Sequence, residues 1–172
     1  MKRKVTVAII IIVCYLLQST LFQALSFATI SPNLLIVVTS AFGFMRGQKE
    51  GTWIGLFCGL CMDIFSSSTL GFYALLYMYV GFINGSFRKL FYPEDIKLPM
   101  VLIGGSDVCY NLAVYFFRFL FRNKYEFGYY FMNIIVPELV YTMVITIVLY
   151  MILLKINQRL ELIEKRSAKK FV

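Results

Sequence analysis

Four ionisable side chains lie within apolar stretches of this sequence: Asp63, Asp107, Arg118 and Glu138. An ion in hydrocarbon is costly unless it pairs, hydrogen-bonds or lines a pathway, so each is a candidate for function. Asp107 sits about ten residues from both Lys97 and Phe117, which places it near the middle of a spanning segment. A proton or ion pathway needs several such groups on facing helices. The only companions in reach are Asn84, Ser106 and Asn111, so the pattern favours a buried hydrogen-bond node built on Asp107 and Asn111. Asn33, Asp63, Arg118 and Glu138 fall at the outer ends of four different segments, at one level. That convergence predicts that Arg118 is bridged by Asp63 or Glu138 across the bundle. The alternative is that all four simply reach headgroups and water.

Other chemistries find little support. Histidine is absent, which removes the usual general base and the commonest metal ligand. Cys58 to Cys61 spells CGLC, but a redox or metal reading needs a strand-to-helix context or a second ligand pair. Cys14, Cys58, Cys61 and Cys109 all lie in apolar runs, as small hydrophobes do. No nucleophile stands with a base, and there is no metal triad or phosphate loop. The reading is a non-enzyme with no cofactor and no metal.

These residues must be positioned by membrane helices. The chain has 172 residues, 60% of them hydrophobic and 15% charged, with a mean hydropathy of +0.76, too apolar for a soluble domain. A net charge of +8 does not indicate nucleic acid, because the basic residues collect in short runs between apolar segments instead of forming a patch with interleaved aromatics. Six helices are expected, at about 5–25, 32–46, 51–65, 70–87, 98–121 and 137–155, as an all-α transmembrane bundle in one domain. Pro32 suits the first position of the second helix, Arg46 to Gly51 reads as a charged turn, and Pro137 restarts the chain as the last helix. The second and third helices are short, about 22 Å against a hydrocarbon core near 30 Å. With the N-terminus inside, fourteen of the seventeen basic residues fall on inner segments, and only Arg118, Arg122 and Lys124 fall outside. Both termini are then cytoplasmic, and the basic tail 156–172 is suited to lie on anionic membrane lipids or to extend the last helix into solvent.

The densest signal is the hairpin Gly51 to Gly85. Gly51, Gly55 and Gly59 recur every four residues, with Asp63 continuing the stripe, and Gly81 with Gly85 gives a second one. In lipid, small residues at this spacing let backbones approach closely, so these glycines are expected to pack helices within the bundle or to receive a partner's transmembrane helix.

Several of these residues carry a resemblance. Gln18-Ser19-Thr20-Leu21, Pro32-Asn33-Leu34-Leu35, Arg46-Gly47 and above all the run from Gly55 through Asp63 to Ser66, followed by Leu70-Gly71-Phe72-Tyr73-Ala74-Leu75, resemble the MreD family of bacterial rod shape-determining proteins. The resemblance implies a non-enzymatic subunit of the cell-wall elongation machinery in the bacterial cytoplasmic membrane. Its expected partners are an MreC-like bitopic protein and, through it, cell-wall synthases and an MreB-like cytoskeleton. MreD is also similar in fold to the substrate-binding S components of energy-coupling-factor transporters, which gives a second reading as a small-molecule transporter subunit. The polar face of 98–121 and the aromatic approach to Pro137 have no counterpart in the family pattern.

Overall fold

A computed structural model describes residues 2–21, 31–66, 71–90, 96–120 and 127–169, and among them the chain is helical without strands. The helices are α1 (Lys2–Leu16, continued by a π-helical turn Leu17–Leu21), α2 (Leu34–Arg46), α3 (Gln48–Ser66), α4 (Phe72–Ser86, followed by a 3₁₀ turn Phe87–Leu90), α5 (Lys97–Leu120) and α6 (Val136–Lys169). Three stretches, Arg3–Thr20, Lys97–Phe117 and Phe131–Glu164, are long and apolar enough to cross a membrane, and α2 is a shorter apolar helix.

α2 is the axis of the bundle. Leu34 through Met45 is buried on every side, and α2 packs against all five other helices. A helix apolar all round belongs in an interior, and its two hydroxyls, Thr39 and Ser40, are buried as well. Its N-terminus is closed by side chains. Asn33 Oδ1 accepts from Ile36 N at 3.3 Å, and Gln18 Oε1, from the π-helical turn of α1, accepts from Leu35 N at 3.3 Å. Two donors that a helix start leaves open are thereby met. Asn33 is therefore the cap, and Pro32 precedes it instead of opening the helix.

The expected charged turn from Arg46 to Gly51 shrinks to one residue. Gly47, at φ +99°, ends α2 by donating to Gly43 O at 2.7 Å, and α3 begins at Gln48. Only glycine takes that backbone conformation without strain. The last helix also departs from expectation. Phe127–Tyr130 is already helical, Phe131–Ile135 widens into a π turn, and Val136 N bonds Phe131 O five residues back. Pro137, lacking an N–H and crowding the carbonyl four residues before it, sits where an existing helix loosens and does not restart one. From there α6 runs unbroken to Lys169, about 51 Å, so the segment beyond Lys155 continues the same helix.

That extension is tied to the other helix ends. Arg46 donates from Nε to Asn157 Oδ1 at 2.7 Å and lies 3.7 Å from Glu161 and 3.6 Å from Glu164. Arg3 pairs with Glu164 at 3.0 Å and with Glu50 of α3. Exposed pairs contribute little each, but this network joins α1, α2, α3 and α6 at one end, and so fixes the direction of the extension.

Candidate functional site

The glycine residues are spent on each other. α3 and α4 run antiparallel with their backbones in contact. A Cβ on Gly55 would strike the carbonyl oxygen of Tyr77, one on Gly59 the Cα of Ala74, and one on Gly85 would come within 2.6 Å of the Gly47 carbonyl carbon. Gly51 and Gly81 face each other, and Gly43 of α2 joins them: a Cβ there would lie 2.8 Å from the Gly81 carbonyl oxygen. Three helices thus cross at three glycines. Such backbone-to-backbone approach needs residues without side chains. Gly43 and Gly47 continue the same four-residue series toward the N-terminus, but Gly47 ends α2, so Gly43 reaches Gly51 and Gly81 from a separate helix.

Asp63, at the far end of the same α3 stripe, closes the hairpin. Its carboxylate accepts from Gly71 N at 3.0 Å, Tyr73 N at 3.0 Å and Ala74 N at 2.9 Å, so it caps α4 from the preceding helix. The carboxylate also meets the positive end of the α4 dipole. The bridge expected between Arg118 and Asp63 or Glu138 falls on the Arg118 side chain, which lies outside the described residues.

Asn33 and the start of α6 do meet. Asn33 N donates to Thr142 Oγ1 at 3.2 Å, one turn from Glu138, and Tyr77 OH donates to Asn33 Oδ1 at 2.7 Å. The Tyr77 ring lies edge-on to Tyr110, with centroids 5.2 Å apart. Neither Tyr77 nor Thr142 was singled out from the sequence. Thr142 had a signal, since Glu138, Thr142, Thr146 and Tyr150 recur every four residues along α6, and the last three are buried. Tyr77 had none beyond lying one turn after Tyr73 and one residue after Leu76.

The expected hydrogen-bond node is displaced from Asp107. It centres on Asn84, whose Nδ2 donates to Ser106 Oγ at 2.6 Å, Val80 O at 2.9 Å and Ser40 Oγ at 3.4 Å. Asn111 turns back to the carbonyl of residue 107 at 3.1 Å and lies beside Glu138. Asp107 itself is fully buried, and neither carboxylate oxygen has a hydrogen-bond partner among the described residues. Helical spacing puts Ser106 toward Asn84 and its neighbour Asp107 about 100° away, which explains the split. Asp107→Asn is expected to hold or raise stability by about 1 kcal/mol in thermal unfolding, since it removes a buried charge without breaking a bond. A clear loss would reveal a partner for the carboxylate.

Among the described residues no group of three or more Cys, Asp or Glu is placed to hold a metal. Cys58 and Cys61 are free thiols on α3, Cys58 fully buried, and Cys14 and Cys109 are also free.

Apolar helices of spanning length, helix crossings made of glycine and a polar interior spent on capping helices define an all-helical membrane protein built around close packing. Its family is identified by a direct match: residues 1–160 fit the model of the rod shape-determining protein MreD, and the chain belongs to that family. Its role is in rod shape determination, and it acts with the rod-shape complex. No curated protein and no solved structure matches the chain, so the likeness to transporter S components gains no support.

Proposed function

We propose that the protein is a non-enzymatic scaffold of the rod complex that crosses the cytoplasmic membrane six times, keeps both termini inside, and holds the transmembrane helix of an MreC-like bitopic protein. Cell-wall synthases and an MreB-like cytoskeleton then associate through that partner. Membership of the MreD family carries the reading. The glycine faces are occupied within the bundle, so the partner helix belongs on an outer face. The candidate is on α6, where Val140, Val144, Ile147, Val148, Met151 and Ile152 form an exposed apolar stripe at helical spacing. Affinity purification of the tagged protein in mild detergent, followed by mass spectrometry, tests the reading. A bitopic coiled-coil protein with cell-wall synthases is the expected result. A pair of ATPases with a second membrane subunit would overturn it. Val144→Trp with Val148→Trp should reduce recovery of the bitopic protein roughly tenfold, about the loss of one good packing site, while Val101→Trp on α5 should leave it unchanged.

A further inference from the structure

The basic residues at the Arg46 end of the bundle are not equally employed. Glu50, Glu161 and Glu164 are all engaged by Arg3 and Arg46. Next to them, between the Gly47 turn and the C-terminus of α4, lies a cleft of about 700 Å³ lined by Gly47, Gln48, Gly85, Ser86, Arg88 and Lys89. Its wall holds two cations and no acid. Neither Arg88 nor Lys89 makes an ion pair among the described residues, and both are exposed.

The cleft is shaped by the glycines. A Cβ on Gly47 would lie 2.9 Å from Arg88 Cδ, so glycine lets the arginine stem lie against the turn. Gln48 Nε2 donates to Ser86 Oγ at 2.8 Å and ties the two walls together. The 3₁₀ turn carrying the cations reads Phe87-Arg88-Lys89-Leu90, and both flanking apolar side chains are exposed, as are Phe82 and Ile83 on the preceding helix. Cations that make no ion pair among the described residues, set beside exposed apolar side chains, match a molecule that is anionic at one end and hydrocarbon at the other.

We propose that this cleft binds a phosphate-bearing anion, the phosphodiester headgroup of an anionic phospholipid, with Arg88 and Lys89 on the phosphate and Phe87 and Leu90 along the acyl chains. The site is separate from the α6 stripe and does not depend on the partner assigned to it.

The test uses the full-length protein purified in mild detergent, with lipid retention read by native mass spectrometry after addition of phosphatidylglycerol or phosphatidylcholine. The wild type should retain phosphatidylglycerol in preference to phosphatidylcholine. Arg88→Ala with Lys89→Ala should weaken that retention about thirtyfold, the combined effect of two basic residues at a headgroup. Lys4→Ala with Lys97→Ala removes the same charge from exposed positions outside the cleft and should leave retention unchanged. Equal loss in both double variants, or equal retention of the two lipids, would overturn the proposal. A parallel arm adds inorganic phosphate and reads the melting temperature. Stabilisation by phosphate alone, abolished only by the Arg88 and Lys89 changes, would keep the anion site and assign it to a soluble phosphate. Because no partner is present, a failure here leaves the scaffold reading standing, and a failed purification of partners leaves this one standing.

Discussion

Gly59→Leu is expected to leave almost no folded protein in the membrane, and Gly55→Leu to do nearly the same. A Cβ at Gly59 would meet the Ala74 Cα, the Ala74 N at 2.6 Å and the Tyr73 carbonyl oxygen at 2.5 Å, all of them backbone. At Gly55 the obstacles are the Tyr77 carbonyl carbon at 2.7 Å and the Met78 Cα at 3.1 Å, again backbone. A side chain can change rotamer to admit an intruder, but a helix backbone can only move away as a whole. Separating α3 from α4 would also pull both from α2, because Gly43, Gly51 and Gly81 cross at one place. The cost should exceed about 4 kcal/mol, beyond ordinary overpacking. Gly105→Leu is the control, since nothing lies within 4 Å of a Cβ there. Thermal unfolding of the purified protein, without any partner, reads the difference. If Gly59→Leu melts with the wild type, α3 and α4 do not pack through these glycines. Normal melting with loss of a copurifying protein would place the stripe at a partner interface instead.

Asp63→Ala should be the next most damaging change. It strips three backbone donors at the start of α4 of their acceptor, two of them buried, and removes the anion at a helix N-terminus. Charge-assisted bonds contribute about 1.5–3 kcal/mol each, and they are not additive, so a loss of about 4 kcal/mol is expected. Asp63→Asn keeps one carbonyl oxygen but turns an amide toward donors, and should lose about half as much. Amide hydrogen exchange separates capping from a general role in stability. Protection should fall first at Tyr73 and Ala74 and last in α2. Uniform loss across all helices would contradict the cap.

The sequence made the helical class and the glycine hairpin legible because both rest on local spacing. Helix ends were harder. Gly47 and Pro137 each admit two readings: Gly47 turns α2 directly into α3 through its own positive φ, and Pro137 lies within a helix that begins ten residues earlier. Polar residues were seen but their partners were not. The expected pairing of Asp63 with Arg118 falls outside the described residues, but the spacing gave no sign that the Asp63 carboxylate accepts from backbone N–H groups eight to eleven residues on. Asp107 is expected as the centre of a hydrogen-bond node, but the node centres on Asn84 and is joined by the neighbouring Ser106, one residue being enough to turn a side chain out of reach. The network of Arg3, Arg46, Glu161 and Glu164 was not legible because the last membrane helix is expected to end near Lys155, with the tail on lipid or in solvent. Its spacing was readable all the same: Asn157, Leu160, Glu161 and Glu164 fall on one helical face.

The complete enclosure of α2 also bears on how the protein is made. Its thirteen residues, about 20 Å of helix, are too few to bridge a bilayer alone, and Thr39 and Ser40 would face lipid if it stood unaccompanied. Yet it leaves the ribosome before α3 and α4, the helices whose glycines close over it. Stable insertion of α2 therefore has to wait for the hairpin that follows: with α1 already anchoring the chain, a cysteine placed in α2 should react with a water-soluble thiol reagent in nascent chains arrested before Gly85 and be protected once α4 has emerged.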